Sequence, residues 1–148
     1  MEYMPLHLEI ALVSVFAQVA LTFYAVLRMG MLRLRSIRDY EISLHEIAID
    51  STNYPDDARK HANNLANQFE FPILLYVAVM LAVVFDVSSM PFAISCAGFV
   101  VSRYFHRFVH VRRNNVRTRF VVFLAGLGML ALAWVFLGYG LVTISYTV

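Results

Sequence analysis

Residues 62–81 read ANNLANQFEFPILLYVAVML. The second half of this stretch is almost wholly apolar, whereas Asn63, Asn64, Asn67, Gln68 and Glu70 crowd the first half. At about 100° per residue, Asn63, Asn67 and Glu70 fall within about 60° of one helical face and form a polar stripe. An ionisable group at mid-bilayer costs at least about 2.5 kcal/mol, so it faces the protein interior or a water-filled cavity rather than lipid. The stretch therefore predicts a membrane-spanning helix over 64–85 whose polar face carries function. Pro72 removes one backbone donor, and a bend is expected there.

Similar apolar runs flank it. Of the 148 residues 60% are hydrophobic and 15% charged, and the mean hydropathy is +0.66, whereas a soluble domain carries about 25% charge. A span needs roughly 20 apolar residues, and four stretches meet that length, over 5–27, 64–85, 90–111 and 119–146. The reading is an all-α, integral membrane four-helix bundle forming a single domain over 1–148. The N-terminal run lacks a basic start and is too long for a signal-peptide core, so it is expected to be retained as the first span. All twelve Lys and Arg residues lie in the first and third connections and their flanks: Arg28, Arg33, Arg35, Arg38, Arg59 and Lys60 in one, Arg103, Arg107, Arg112, Arg113, Arg117 and Arg119 in the other. In an antiparallel four-span chain these connections share one side, so the positive-inside rule puts loops 28–63 and 112–118 in the cytoplasm and the termini opposite. Either a bacterial inner membrane or the endoplasmic reticulum fits, and nothing in the charge pattern suggests nucleic acid.

The third span ends SRYFHRFVHVRR, placing Arg103, His106, Arg107 and His110 on an arc of about 100° that can meet the acidic stripe. Arg103 and His106 lie deep enough to require partners, and a binding pocket is expected around them. The alternative for Glu70 is a plain ion pair with an arginine of a neighbouring helix. Arg112, Arg113 and Arg117 read as snorkelling toward headgroups. His106 and His110 stand at i, i+4, which can serve a metal, but adjacent Arg103 and Arg107 repel a cation and no metal site is expected. Cys96 is the single cysteine, which excludes an intrachain disulfide. Gly126, Gly128, Gly138 and Gly140 read as small residues that let helices approach closely.

With Asn67-x-x-Glu70 in the second span, Arg103-x-x-His106-x-x-x-His110 in the third and Arg119 opening the fourth, the chain resembles the MAPEG family over nearly its whole length. These are the membrane-associated proteins of eicosanoid and glutathione metabolism. The resemblance implies a homotrimer of four-helix bundles that binds glutathione as co-substrate between subunits near the cytoplasmic side. It further implies that Asn67 and Glu70 hold the polar ends of the tripeptide with Arg103 and His106 assisting, that Asn63 and His110 line the same site, and that Arg119 is catalytic and stabilises the thiolate. Well-studied mammalian members have tyrosines where this chain has His110 and Phe123, and a basic residue where it has Asn63.

The leading expectation is a glutathione-dependent transferase acting on a lipophilic electrophile that arrives through the bilayer. Two rivals are a non-catalytic protein of the same fold that binds lipid or a partner, and a small transporter or channel whose polar path is the Glu70 and Arg103 stripe.

Overall fold

Residues 6–40 contain no proline and a single glycine, Gly30, and a computed structural model of the chain folds them as one helix, α1, Leu6–Tyr40. The structure describes residues 3–40, 45, 47, 50–112 and 115–145. The loop expected to open at Arg28 thus begins as helix, because Arg and Leu are good helix formers and nothing in the basic stretch through Arg38 breaks the ladder. At 35 residues α1 is about 50 Å long, well beyond the roughly 30 Å hydrocarbon core.

The loop also contains a second helix, α2, Asp56–Ala66. Asp56 and Asp57 occupy its first turn, where their charge complements the helix dipole. It ends where the second span was expected to run on uninterrupted. Asn67 is the C-cap, residues 67–71 form turns, and a new helix, α3, Pro72–Val84, starts with proline at its first position. The bend expected at Pro72 is a full break, since proline has no N–H to continue a ladder but suits the first turn of a helix.

Helix α3 closes on Asp86, at φ 52°. The N–H of Val87 donates to the Ala82 carbonyl at 2.9 Å and that of Asp86 to the Val83 carbonyl at 3.3 Å. This is a Schellman closure with aspartate in the left-handed position usually held by glycine. It reverses the chain into α4, Met90–Arg112, and a short connection leads to α5, Val116–Ser145. Asn115 caps α5, its Oδ1 accepting from the N–H groups of Arg117 at 3.1 Å and Thr118 at 3.3 Å. The connection from 86 to 89 is the tight turn the sequence predicts. Arg113, the side chain of Arg112 and the expected end of the fourth span at Tyr146 lie outside the described residues.

The described residues are helical without strands. Ala11 of α1, Leu75 and Val79 of α3, Phe92 and Phe99 of α4 and Leu130 of α5 meet in one buried apolar core. The outward faces stay apolar: Phe16 and Phe23 of α1, Val84 of α3 and Tyr139 of α5 are all more than half exposed. By length and composition, α1 over Leu6–Asp39 and α5 over Val116–Ile144 can each cross a membrane. Only 28% and 22% of their most apolar windows are buried, whereas a core helix of a soluble protein is mostly covered.

Helices α4 and α5 form the most extensive pair, and glycine sets their approach. A Cβ on Gly126 would collide with the Ser102 hydroxyl and lie 3.1 Å from the Ser102 Cβ, and one on Gly98 would strike the Met129 side chain. A Cβ on Gly140 would lie 3.3 Å from that of Val87, whereas one on Gly128 or Gly138 would meet nothing within 4 Å. Among the described residues the expected contact role therefore holds for Gly126 and Gly140 and not for the other two. We expect Gly126→Val to destabilise the protein by about 1–3 kcal/mol through overpacking, with Gly128→Ala neutral or mildly stabilising. Thermal unfolding in detergent measures both.

Candidate functional site

Where a helix stops, its last carbonyls lose their partners. At the end of α2 the Asn67 carbonyl accepts from Arg103 Nη2 of α4 at 2.6 Å. Arg103 is only 2% exposed, so this charge-assisted bond pins the α2–α3 break to the middle of α4. Glu70, in the turn after the break, is exposed and makes no ion pair with Arg103 among the described residues. The ion-pair alternative for Glu70 is thus not met by Arg103 among the described residues.

From that anchor α4 carries His106 and His110 along one face, both 4% exposed. Opposite them Arg119 stands in the first turn of α5, its N–H donating to the Asn115 carbonyl at 3.0 Å. The result is a cavity of about 490 Å³ lined by Asn63, Asn67, Glu70, His106, His110 and Arg119, with Phe120 and Phe123 among its apolar walls. Six of the seven sequence-nominated residues thus line one space, and Arg103, the seventh, supports it from behind through Asn67. Asn63, Asn67 and Glu70 meet although they do not share a helix, because the break after Ala66 leaves Glu70 in a turn beside the end of α2.

Aromatic contacts hold the walls. The Phe71 and Phe123 rings meet edge-on at 5.4 Å, and His106 lies 6.1 Å from Phe123 and 5.8 Å from His110 between ring centroids. Nδ1 of His106, Nδ1 of His110 and Nε of Arg103 are buried without a hydrogen-bond partner. Unpaired buried donors and acceptors are costly, and two of the three belong to His106 and His110, which line the cavity. No three His, Cys, Asp or Glu side chains converge on a metal geometry among the described residues.

Arg107, grouped with this face by helical arithmetic, turns to the other side of α4 and donates to Asn64 Oδ1. Its guanidinium also sits 4.8 Å from the Tyr24 ring centroid. Beside it Gln18 Nε2 donates to Gln68 Oε1 at 2.9 Å and joins α1 to the break. Sequence reasoning passed over this amide network. Its signal was Gln18, the one amide within the first apolar run, with Gln68 alongside the stripe.

The sequence profile of the MAPEG family matches residues 10–139, which include every site residue named above. The chain belongs to the MAPEG family. No curated protein and no solved structure gives a significant match. MAPEG membership, with the two long and largely uncovered apolar helices, makes this a membrane protein and a member of a family of eicosanoid and glutathione metabolism. The structure of this MAPEG chain adds how the shared residues come together around a broken helix.

Asn64 is fully buried and is the hydrogen-bond acceptor recorded for Arg107. Asn64→Leu is expected to destabilise by about 1.5–3 kcal/mol by removing a buried hydrogen bond to a charged group. Combining it with Arg107→Met should restore much of that loss. A double-mutant cycle on thermal unfolding reads the coupling.

Proposed function

We propose that this MAPEG protein is a glutathione-dependent transferase embedded in the membrane, which ionises the tripeptide thiol and delivers it to a lipophilic electrophile from the bilayer. The observation that carries the reading is the single cavity in which Arg119, His106 and His110 face Asn67 and Glu70. Glutathione presents two carboxylates, an amine and a thiol, and a site for it needs guanidinium or imidazole donors, a carboxylate and a cation near sulfur. All of these line the cavity, and its volume of about 490 Å³ falls within the range of small-molecule sites. The unpartnered imidazole atoms of His106 and His110 give a bound carboxylate or amide its hydrogen bonds.

Arg119 has the central role. An ordinary thiol with a pKa near 8.5 is about 3% ionised at pH 7, and lowering the pKa by one unit raises that to about a quarter. The shift corresponds to about 1.4 kcal/mol of preference for the thiolate, well within what one guanidinium supplies away from bulk water. The sulfur lone pair then forms the bond to the electrophilic carbon, and the displaced electron pair leaves with the departing group. Phe120, Phe123 and Val116 offer the apolar surface on which such a substrate rests.

The architecture of this reading has four membrane crossings: α1, the interrupted segment ending in α3, α4 and α5. The basic connections face the cytoplasm, and the chain assembles as a homotrimer in which a neighbouring copy covers the open side of each cavity. A non-catalytic relative that binds a lipid or partner is the second reading. It is favoured by Phe123, a ring without a hydroxyl on the cavity wall.

Titrating glutathione into the detergent-purified protein while following thiolate absorbance tests the proposal. The native chain should raise the thiolate fraction at pH 7 severalfold, and Arg119→Ala should lower that gain about tenfold while retaining part of the binding. Binding without thiolate formation would favour the non-catalytic reading, and the absence of both would end the transferase proposal.

A further inference from the structure

The opposite side of α4 carries a second feature that the glutathione reading leaves unused. Between α1, α2 and α4 lies a cavity of about 400 Å³ lined by Arg28, His61 and Arg107, with Tyr24, Tyr104 and Phe108 around them. Among the described residues no aspartate or glutamate lines it. Arg107 is 6% exposed, and its recorded partners are the neutral Asn64 amide and the Tyr24 ring. Arg28 makes no ion pair among the described residues. Two guanidinium groups, that of Arg107 buried and that of Arg28 half-buried, around one space with no carboxylate among its described lining residues favour an anion there, since buried cations are otherwise paired.

An independent observation points the same way. His61 is 3% exposed, and its Nδ1 is buried without a hydrogen-bond partner. Burial, and then the charge of Arg107, holds this imidazole below its ordinary range. The neutral form of His61 is thus favoured, and its ring offers a ligand a hydrogen bond.

The cavity does not end in water-seeking side chains. Leu21, Tyr24 and Arg28 continue the stripe of α1 that begins at Ile10, Val13 and Ala17, at spacings of three or four residues. On α4, Tyr104, Arg107 and Phe108 likewise continue Ala97, Val100 and Val101. The two cavities therefore lie in line along the α1–α4 seam as one groove in two parts. The second part, of about 340 Å³, is apolar apart from Glu9 and Ser14. Tyr104 spans the seam between them, donating to the Ala17 carbonyl at 2.8 Å, and its exposed outer edge leaves the path from one part to the other on the lipid side. From Tyr24 to Val13 the groove runs about 16 Å at 1.5 Å per residue, close to half of the roughly 30 Å hydrocarbon core. Cationic at the end flanked by the basic connection and apolar for one leaflet's depth, it matches an amphiphile in shape and charge.

We propose that the α1–α4 groove binds an anionic phospholipid, with its phosphate between Arg28, Arg107 and His61 and an acyl chain along the apolar stripe. Guanidinium forks suit phosphate oxygens, and the apolar continuation selects a lipid over the free ion. This site is separate from the glutathione cavity and stands whether or not that cavity is catalytic.

The full-length protein in detergent is titrated with dioleoyl phosphatidylglycerol, dioleoyl phosphatidylcholine and inorganic phosphate, and bound lipid is counted by native mass spectrometry. The glycerol lipid should bind at least tenfold more tightly than the choline lipid, and inorganic phosphate should compete only weakly. Arg28→Gln should weaken the glycerol lipid about tenfold, or 1.4 kcal/mol. Arg28→Lys should recover part of that affinity, and Arg117→Gln, which removes an equal charge elsewhere, should change it less than twofold. Because Arg28 is only half-buried, an unchanged thermal midpoint without lipid certifies the fold of its variants. Equal binding of both lipids, indifference to Arg28→Gln, or phosphate binding as tight as the lipid would each overturn the proposal. So would a change of oligomeric mass on Arg28→Gln, which would put a second copy of the chain in the groove.

Discussion

The hydrogen bond from Arg103 to the Asn67 carbonyl, 2.6 Å long and almost wholly buried, decides what the rest of the molecule can do. In a membrane protein a broken helix exposes backbone groups that lipid cannot satisfy, so a break survives only where protein or a cavity supplies partners. Arg103 supplies that partner. Once it fixes the break against α4, His106 and His110 follow one and two turns later on the same helix and come to face Asn67 and Glu70. The Asn115 cap then starts α5 so that Arg119 closes the opposite wall. A cavity assembled by four segments thus depends on one guanidinium and one carbonyl.

Helix α4 acts as a partition between two electrostatic environments. Its two histidines serve the cavity bounded by α2, the break and α5, and Arg107 serves the cavity bounded by α1 and α2. Among the described residues neither buried arginine has a carboxylate partner within hydrogen-bond range, and each bonds instead to a neutral oxygen at the end of α2. Neutral oxygens orient a guanidinium without cancelling its charge, so both sides of α4 keep a positive potential available to anionic ligands. A protein stabilised only by its own ion pairs would have used that charge internally.

At the other end of the helices the demands are different. Leu75, Ala78 and Ala82 of α3 pack with Phe92 and Cys96 of α4 and Ala133 and Leu137 of α5 without a polar group among them, and Gly126 and Gly98 bring α4 and α5 close. This dry region resists local adjustment because close-packed side chains leave no room to shift. It gives the polar, irregular end a rigid base, which permits a broken helix and several unpaired nitrogens in one molecule.

Much of this was legible in the residues themselves. Apolar runs and low charge identify a helical membrane protein, because lipid admits few alternatives to the helix. The motifs from Asn63 to Arg119 name the family and six residues of one cavity, and for His106 and His110 the reason is that residues four apart on a helix share a face. Periodicity grouped Arg107 with the histidines because an arc of about 100° can be shared between two neighbouring helices, and only packing decides which neighbour each side chain meets. It also carried one helix through residues 64–85, because the effect of Pro72 on the ladder depends on whether a distant donor, here Arg103, satisfies the freed carbonyl. The Gln18–Gln68 bond spans fifty positions and leaves no local pattern. Composition and spacing therefore determined what kind of helices form and which faces are polar. The break, the two cavities and the direction of each buried cation were decided by tertiary structure, because each depends on a partner supplied from elsewhere in the chain.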